Sequence, residues 1–172
     1  GPKGVGKSSI LHNVIRFFPG FTIISSGSVL QKVSQAQYGL NFVDLPREAK
    51  RVVRRTYTEG VMKETAHTLL DIHYGEFEDG GYPCVIPELL LPHITHFVLV
   101  MGNSEAILNR RSHDSKERRA DRASVRLNVL GERIIFNELV ARYNKENVII
   151  HNKDMQASVQ QLAQFIQKVV DQ

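Results

Sequence analysis

The chain has 172 residues, 42% of them hydrophobic and 23% charged, with a formal net charge of +4. That length and composition suit one globular domain with a proper core, and no apolar stretch approaches the length of a membrane span. A lone cysteine, Cys84, excludes an internal disulfide framework and fits a reducing compartment, so a cytoplasmic enzyme is the expectation.

The first eight residues read Gly1-Pro2-Lys3-Gly4-Val5-Gly6-Lys7-Ser8 and fit the phosphate-loop pattern G-x-x-x-x-G-K-[ST] at every fixed position. Glycines at these places let the backbone bend until successive N–H groups converge on phosphate oxygens. A helix starting near Lys7 adds the positive end of its dipole. Lys7 then reaches the β- and γ-phosphates, and the Ser8 hydroxyl is placed to ligate Mg²⁺. Gly1, Gly4, Val5, Gly6 and Ser9 complete the candidate nucleotide contacts, so ATP and Mg²⁺ are the expected cofactors. Such a loop joins a buried strand to a helix, which leads to the expectation of a further strand of about 5–6 residues ahead of Gly1.

Helical periodicity covers residues 7–18, 28–37, 46–66, 104–112, 123–143 and 156–170. Between these lie short apolar runs at 21–24, 69–70, 97–101 and 148–150. Pro19-Gly20 ends the first helix, and Pro46 stands where a helix start tolerates proline. Short buried strands alternating with helices predict an α/β, three-layer P-loop fold. About five parallel strands with helices on both faces are expected, as a single domain over 1–172.

A second metal-side group is expected at the end of a buried strand, and Thr68-Leu69-Leu70-Asp71 supplies it. Asp71 suits Mg²⁺ beside Ser8, and His73 suits a phosphate contact or the orientation of Asp71. A turn or cap role for Asp71 and a structural role for His73 stay open. Further along, residues 109–133 hold eight Lys/Arg against four acids. Such a block wants nucleotide phosphates or a nucleic-acid backbone, unless it is a solvated helix face. Phe136 and Tyr143, at helical spacing, fit a core better than a base-stacking platform, which weighs against RNA.

In this order the motifs Gly1 to Ser8, Ser26-Gly27-Ser28, Asp71-Ile72-His73, Gly81-Tyr82-Pro83, Arg110-Arg111, the arginine-rich turn, Arg133 and Asn152-Lys153 resemble the archaeal-type adenylate kinases, nucleoside monophosphate kinases of the P-loop fold. The resemblance implies phosphoryl transfer from Mg-ATP to AMP. It makes Lys7 and Ser8 donor-side groups and gives Ser26 and Gly27, with Asp71 and His73, to the acceptor side. It makes residues 110–124 a lid over ATP, with Arg110, Arg111 and Arg119 as its phosphate ligands. Arg133 matches an arginine reaching between the two nucleotides, and Asn152-Lys153 would lie near the adenine.

One stretch departs from the family. Residues 38–45 are short and contain no arginine, where the archaeal enzymes carry a longer, arginine-containing insertion. A monophosphate wants an arginine clamp, and Arg47, Arg51, Arg54 or Arg55 are the substitutes at hand. The alternatives to a nucleoside monophosphate kinase are a P-loop kinase or ATPase acting on another small acceptor, and a nucleotide-regulated protein that engages RNA.

Overall fold

A computed structural model describes residues 1–75, 81–113 and 121–171. In chain order the elements are α1 (Lys7–Val14), β1 (Phe21–Ser25), α2 (Ser26–Tyr38), α3 (Arg47–Met62), β2 (His67–Asp71), β3 (His96–Met101), α4 (Ser104–Ser112), α5 (Arg122–Tyr143), β4 (Glu146–His151) and α6 (Met155–Val170). Every helix and strand expected from the periodicity of residues 7–170 is present. Leu69-Leu70 proves to be the middle of a five-residue strand whose outer positions are polar.

β1 runs parallel to β2, with Phe21 opposite His67 and Ser25 opposite Asp71. β3 runs parallel to β4, with His96 opposite Glu146 and Met101 opposite His151. The expected single sheet of about five strands is therefore replaced, among the described residues, by two parallel pairs. Gly1 lies between the pairs, its carbonyl 3.1 Å from His73 Nδ1 just past β2, and any side chain on it would strike the Val100 carbonyl of β3. The further strand expected ahead of Gly1 lies outside the described residues.

Alternation along β3 produces the layers. Phe97, Leu99 and Met101 point into a core shared with Tyr57 of α3 and Ile135, Phe136 and Leu139 of α5. Val98 and Val100 point the other way, to Ile10 and Val14 of α1 and Leu162 and Ile166 of α6. Side chains of period two thus carry helices on both faces. Phe136 is buried and Tyr143 packs on the same core, as their spacing suggested.

Helix starts differ in a way that matters for the site. Asn103, Asp121 and Asp154 cap α4, α5 and α6, their side chains accepting from the N–H groups of Glu105, Ser124 and Ala157. α1, like α2 and α3, has no side-chain cap, and it begins on Gly6 with φ of 98°. Its first N–H groups are left for another acceptor. No helix among the described residues is long and apolar enough to cross a membrane.

Candidate nucleotide site

Gly4 and Gly6 both hold positive φ, at 85° and 98°, where a side chain would be strained. At Gly6 the space is closed as well: a Cβ would stand 2.7 Å from Asn152 Nδ2 and 3.3 Å from Arg110 Nη1. The fixed glycines of the motif thus serve both backbone shape and close approach of neighbouring side chains.

Those neighbours fasten the loop from several elements at once. Arg111 of α4 is buried, and its Nε and Nη2 donate to the Lys3 carbonyl at 3.0 and 2.9 Å. Arg110 donates through Nη1 to the Val5 carbonyl at 2.9 Å. From the turn after β4, buried Asn152 donates through Nδ2 to the same Val5 carbonyl at 2.7 Å. Its Oδ1 accepts from Ser158, and its N–H donates to the Met101 carbonyl of β3. Charged donors to backbone carbonyls are among the stronger hydrogen bonds, and here they set a loop with little secondary structure of its own.

Lys7 folds back over the loop. Its ammonium donates to the Gly1 carbonyl at 2.5 Å and the Pro2 carbonyl at 3.2 Å, and lies 3.3 Å from His73 Nδ1. Burial, then the Lys7 charge, pushes the His73 pKa from 6.5 down to about 2. The imidazole is neutral, and its Nδ1 faces both the Lys7 ammonium, from which one tautomer accepts, and the Gly1 carbonyl, to which the other donates. For the same reason the 3.8 Å approach of Glu132 to His73 is not an ion pair.

On the outer side, the Ser8 hydroxyl donates to Asp71 Oδ2 at 2.6 Å. Two hard oxygen donors, one of them anionic, meet at the opening of α1, and that donor set suits Mg²⁺ completed by water and phosphate oxygens. The expected pairing of Ser8 with the acid ending β2 is therefore present in space. Ser9 is exposed beside it on α1.

The remaining expected residues are distributed as follows. Ser26 is buried at the start of α2, 2.6 Å from the Tyr57 hydroxyl, and Gly27 is exposed. Arg133 is exposed on α5, and Lys153 is exposed next to Asn152. Arg119 and most of the expected lid lie outside the described residues.

Sequence reasoning missed Glu132. Its carboxylate is 1% exposed, with Oε2 3.0 Å from the Gly1 nitrogen and 3.1 Å from the Tyr74 nitrogen that donates to it. A signal was present: Glu132, Ile135, Phe136 and Leu139 share the buried stripe of α5, and an acid on such a stripe needs buried donors. Also missed was the buttressing role of Asn152, which no local pattern marks.

Residues 1–127 match the AAA domain family. An adenylate kinase of Pyrobaculum aerophilum is 25% identical over 118 residues, covering 64% of this chain and 60% of that protein. The chain thus spans less than two thirds of that relative's length. The crystal structure of a shikimate kinase from Bacteroides thetaiotaomicron aligns over 97% of this chain and 95% of that one, with a TM-score of 0.56 at 14% identity. That likeness establishes the shikimate-kinase-like P-loop fold, and the sequence matches support the adenylate-kinase resemblance. With its phosphate loop intact and most of its length within the match, the chain belongs to the AAA domain family.

Proposed function

We propose that the protein is a phosphotransferase of the adenylate kinase type, moving the γ-phosphate of Mg-ATP to a nucleoside monophosphate. The observation that carries the reading is the meeting of Ser8 with Asp71 beside Lys7, at an uncapped helix start. Phosphoryl transfer asks for positioning and charge neutralisation more than for covalent help from the protein.

The loop N–H groups and the start of α1 hold the donor phosphates. Lys7 exchanges its carbonyl partners for phosphate oxygens, guided by neutral His73, which adds no competing charge. Ser8 and Asp71 hold Mg²⁺, which when bound neutralises the charge on the donor phosphates. Arg110 is exposed, and among its nitrogens only Nη1 is bonded to described residues, leaving Nε and Nη2 for a phosphate oxygen. Arg111, Asn152 and Glu132 keep the loop in shape rather than touching the nucleotide. An oxygen of the acceptor forms a bond to the γ-phosphorus while the bond to the β–γ bridging oxygen breaks, and no general base is required. Arg133 and Lys153, both exposed, are the groups assigned to the interval between the nucleotides and to the adenine side.

Disproportionation of ADP tests this directly. With Mg-ADP as sole substrate, ATP and AMP should form in equal amounts. No ATP or AMP formation at saturating Mg-ADP would sink the reading, and acceptor-independent phosphate release would replace it with an ATPase.

A further inference from the structure

α5 carries apolar residues on two sides. At about 100° per residue, Val125, Phe136 and Leu139 fall with Glu132 on one side, and all are buried. Ala123, Leu127, Leu130, Ile134 and Ala141 fall on roughly the opposite side, and all are exposed. Leu127, Leu130 and Ile134 are 49, 56 and 47% exposed, three large apolar groups in a row left half open to solvent. Single apolar residues on a surface are ordinary, whereas a continuous row of them marks a place for a partner.

The spacing specifies the partner. Ala123, Leu127, Leu130, Ile134, Asn137 and Ala141 follow at steps of four, three, four, three and four, the alternation of a heptad seam. Leu127, Ile134 and Ala141 take the a positions, and Ala123, Leu130 and Asn137 the d positions. The row runs about 27 Å along the helix, at about 1.5 Å per residue. Such a seam fits a helix that carries the same seam, and a second copy of α5 is one. The core of each copy lies behind α5, so these sides can meet.

Charge sets the direction. Arg126 and Arg133 flank the seam at g positions, and Glu138 flanks the other edge at an e position. All three are exposed, and none pairs with an opposite charge among the described residues. In an antiparallel pair the g edges meet, and Arg126 faces Arg133 of the other copy. In a parallel pair each g position meets the e position five residues further on in the other copy. Arg133 then meets Glu138, and the two-fold axis repeats the contact. Asn137 meets its own counterpart, and an amide both donates and accepts. A carboxylate occupies only part of a guanidinium's donor set, so the pairing leaves Arg133 donors for the nucleotide side.

We propose that the chain forms a parallel, two-fold symmetric dimer along α5, joined by the seam from Ala123 to Ala141. Arg133 of each copy pairs with Glu138 of the other and fixes the register. One helix face on each side makes a small interface, so association is weak, with half-dimerisation at about 10–100 μM.

Sedimentation equilibrium on the whole chain, from about 5 to about 500 μM, tests this. The parent should pass from monomer to dimer across that range. Leu130→Glu should stay monomeric throughout, with a thermal midpoint within about 2 °C of the parent's because the position is exposed. Glu138→Arg should weaken the dimer about 5- to 50-fold, and adding Arg133→Glu should restore it to within about threefold. A parent that stays monomeric at about 500 μM, or that forms a trimer, overturns the proposal. A dimeric Leu130→Glu chain does the same. If Glu138→Arg dimerises like the parent, or the double reversal restores nothing, association is unspecific and the parallel register falls. A monomeric parent whose Leu130→Glu variant melts several degrees lower means that the row is covered within its own chain, which also overturns the dimer.

Discussion

Around the phosphate loop, polar side chains are buried and aimed at backbone. Arg111, Asn152 and Glu132 are all nearly inaccessible and each meets main-chain atoms of the loop or of its neighbours. Along the first turns of α3 the reverse holds: Arg47 and Arg51 are exposed, Arg54 half-buried, and no acid among the described residues is paired with them. The first arrangement fixes a backbone in advance, since buried groups that lose a partner are costly. The second leaves charge available to a ligand.

The sharpest break in that contrast is at Lys7. Lys7→Ala should lower turnover by about 100-fold or more, in the range for loss of one charge-stabilising donor, while the thermal unfolding midpoint stays close to the parent's. Near-parental turnover in steady-state assays would remove the loop from the chemistry.

Glu132 probes the buried side. Glu132→Ala strands the Tyr74 N–H and the Gly1 nitrogen in the interior, and urea unfolding should show about 1–3 kcal/mol of lost stability. Glu132→Gln keeps an acceptor oxygen and should cost less. Equal losses for the two would mean that the carboxylate's charge, not its hydrogen bonding, sets the loop.

The pH dependence follows from His73. Its pKa is lowered in the folded state, to about 2 from 6.5, so below pH 6.5 the unfolded chain binds the proton that the fold refuses. The stabilisation is full above that value and declines as pH falls, by about 1 kcal/mol between pH 6.5 and about 5.5. Denaturation midpoints across that window should fall for the parent and stay flatter for His73→Asn.

The smallest effect belongs to Arg55. An exposed i,i+4 pair with Glu59 contributes about 0.5 kcal/mol or less, so Arg55→Ala should leave both stability and substrate KM within error. A raised KM for AMP would bring that exposed pair into the acceptor surface.

Much of this was legible in the chain alone. Helices and strands could be read because periodicity, Pro19-Gly20 and Pro46 act over a few residues. The donor groups could be read because a phosphate loop is a local device: backbone shape, Lys7 and Ser8 are fixed within eight consecutive residues. Asp71 was legible as the acid ending a short apolar run, expected beside Ser8, and the structure bonds the two directly across 63 positions.

What tertiary structure decided were the contacts with no local signature. Asn152 reaches Val5 across 147 positions, and Arg111 reaches Lys3 across 108, neither with a spacing that a sequence displays. Among the described residues, the pairing of β1 with β2 and of β3 with β4 also required coordinates, because strand order is set by non-local pairing. The four arginines of α3 look alike in sequence. Only the fold gives Arg55 a glutamate and leaves Arg47, Arg51 and Arg54 on a side of the helix whose later turns enter the core. Local chemistry thus named the phosphate loop, and distant packing decided what holds it and which arginine of α3 is paired.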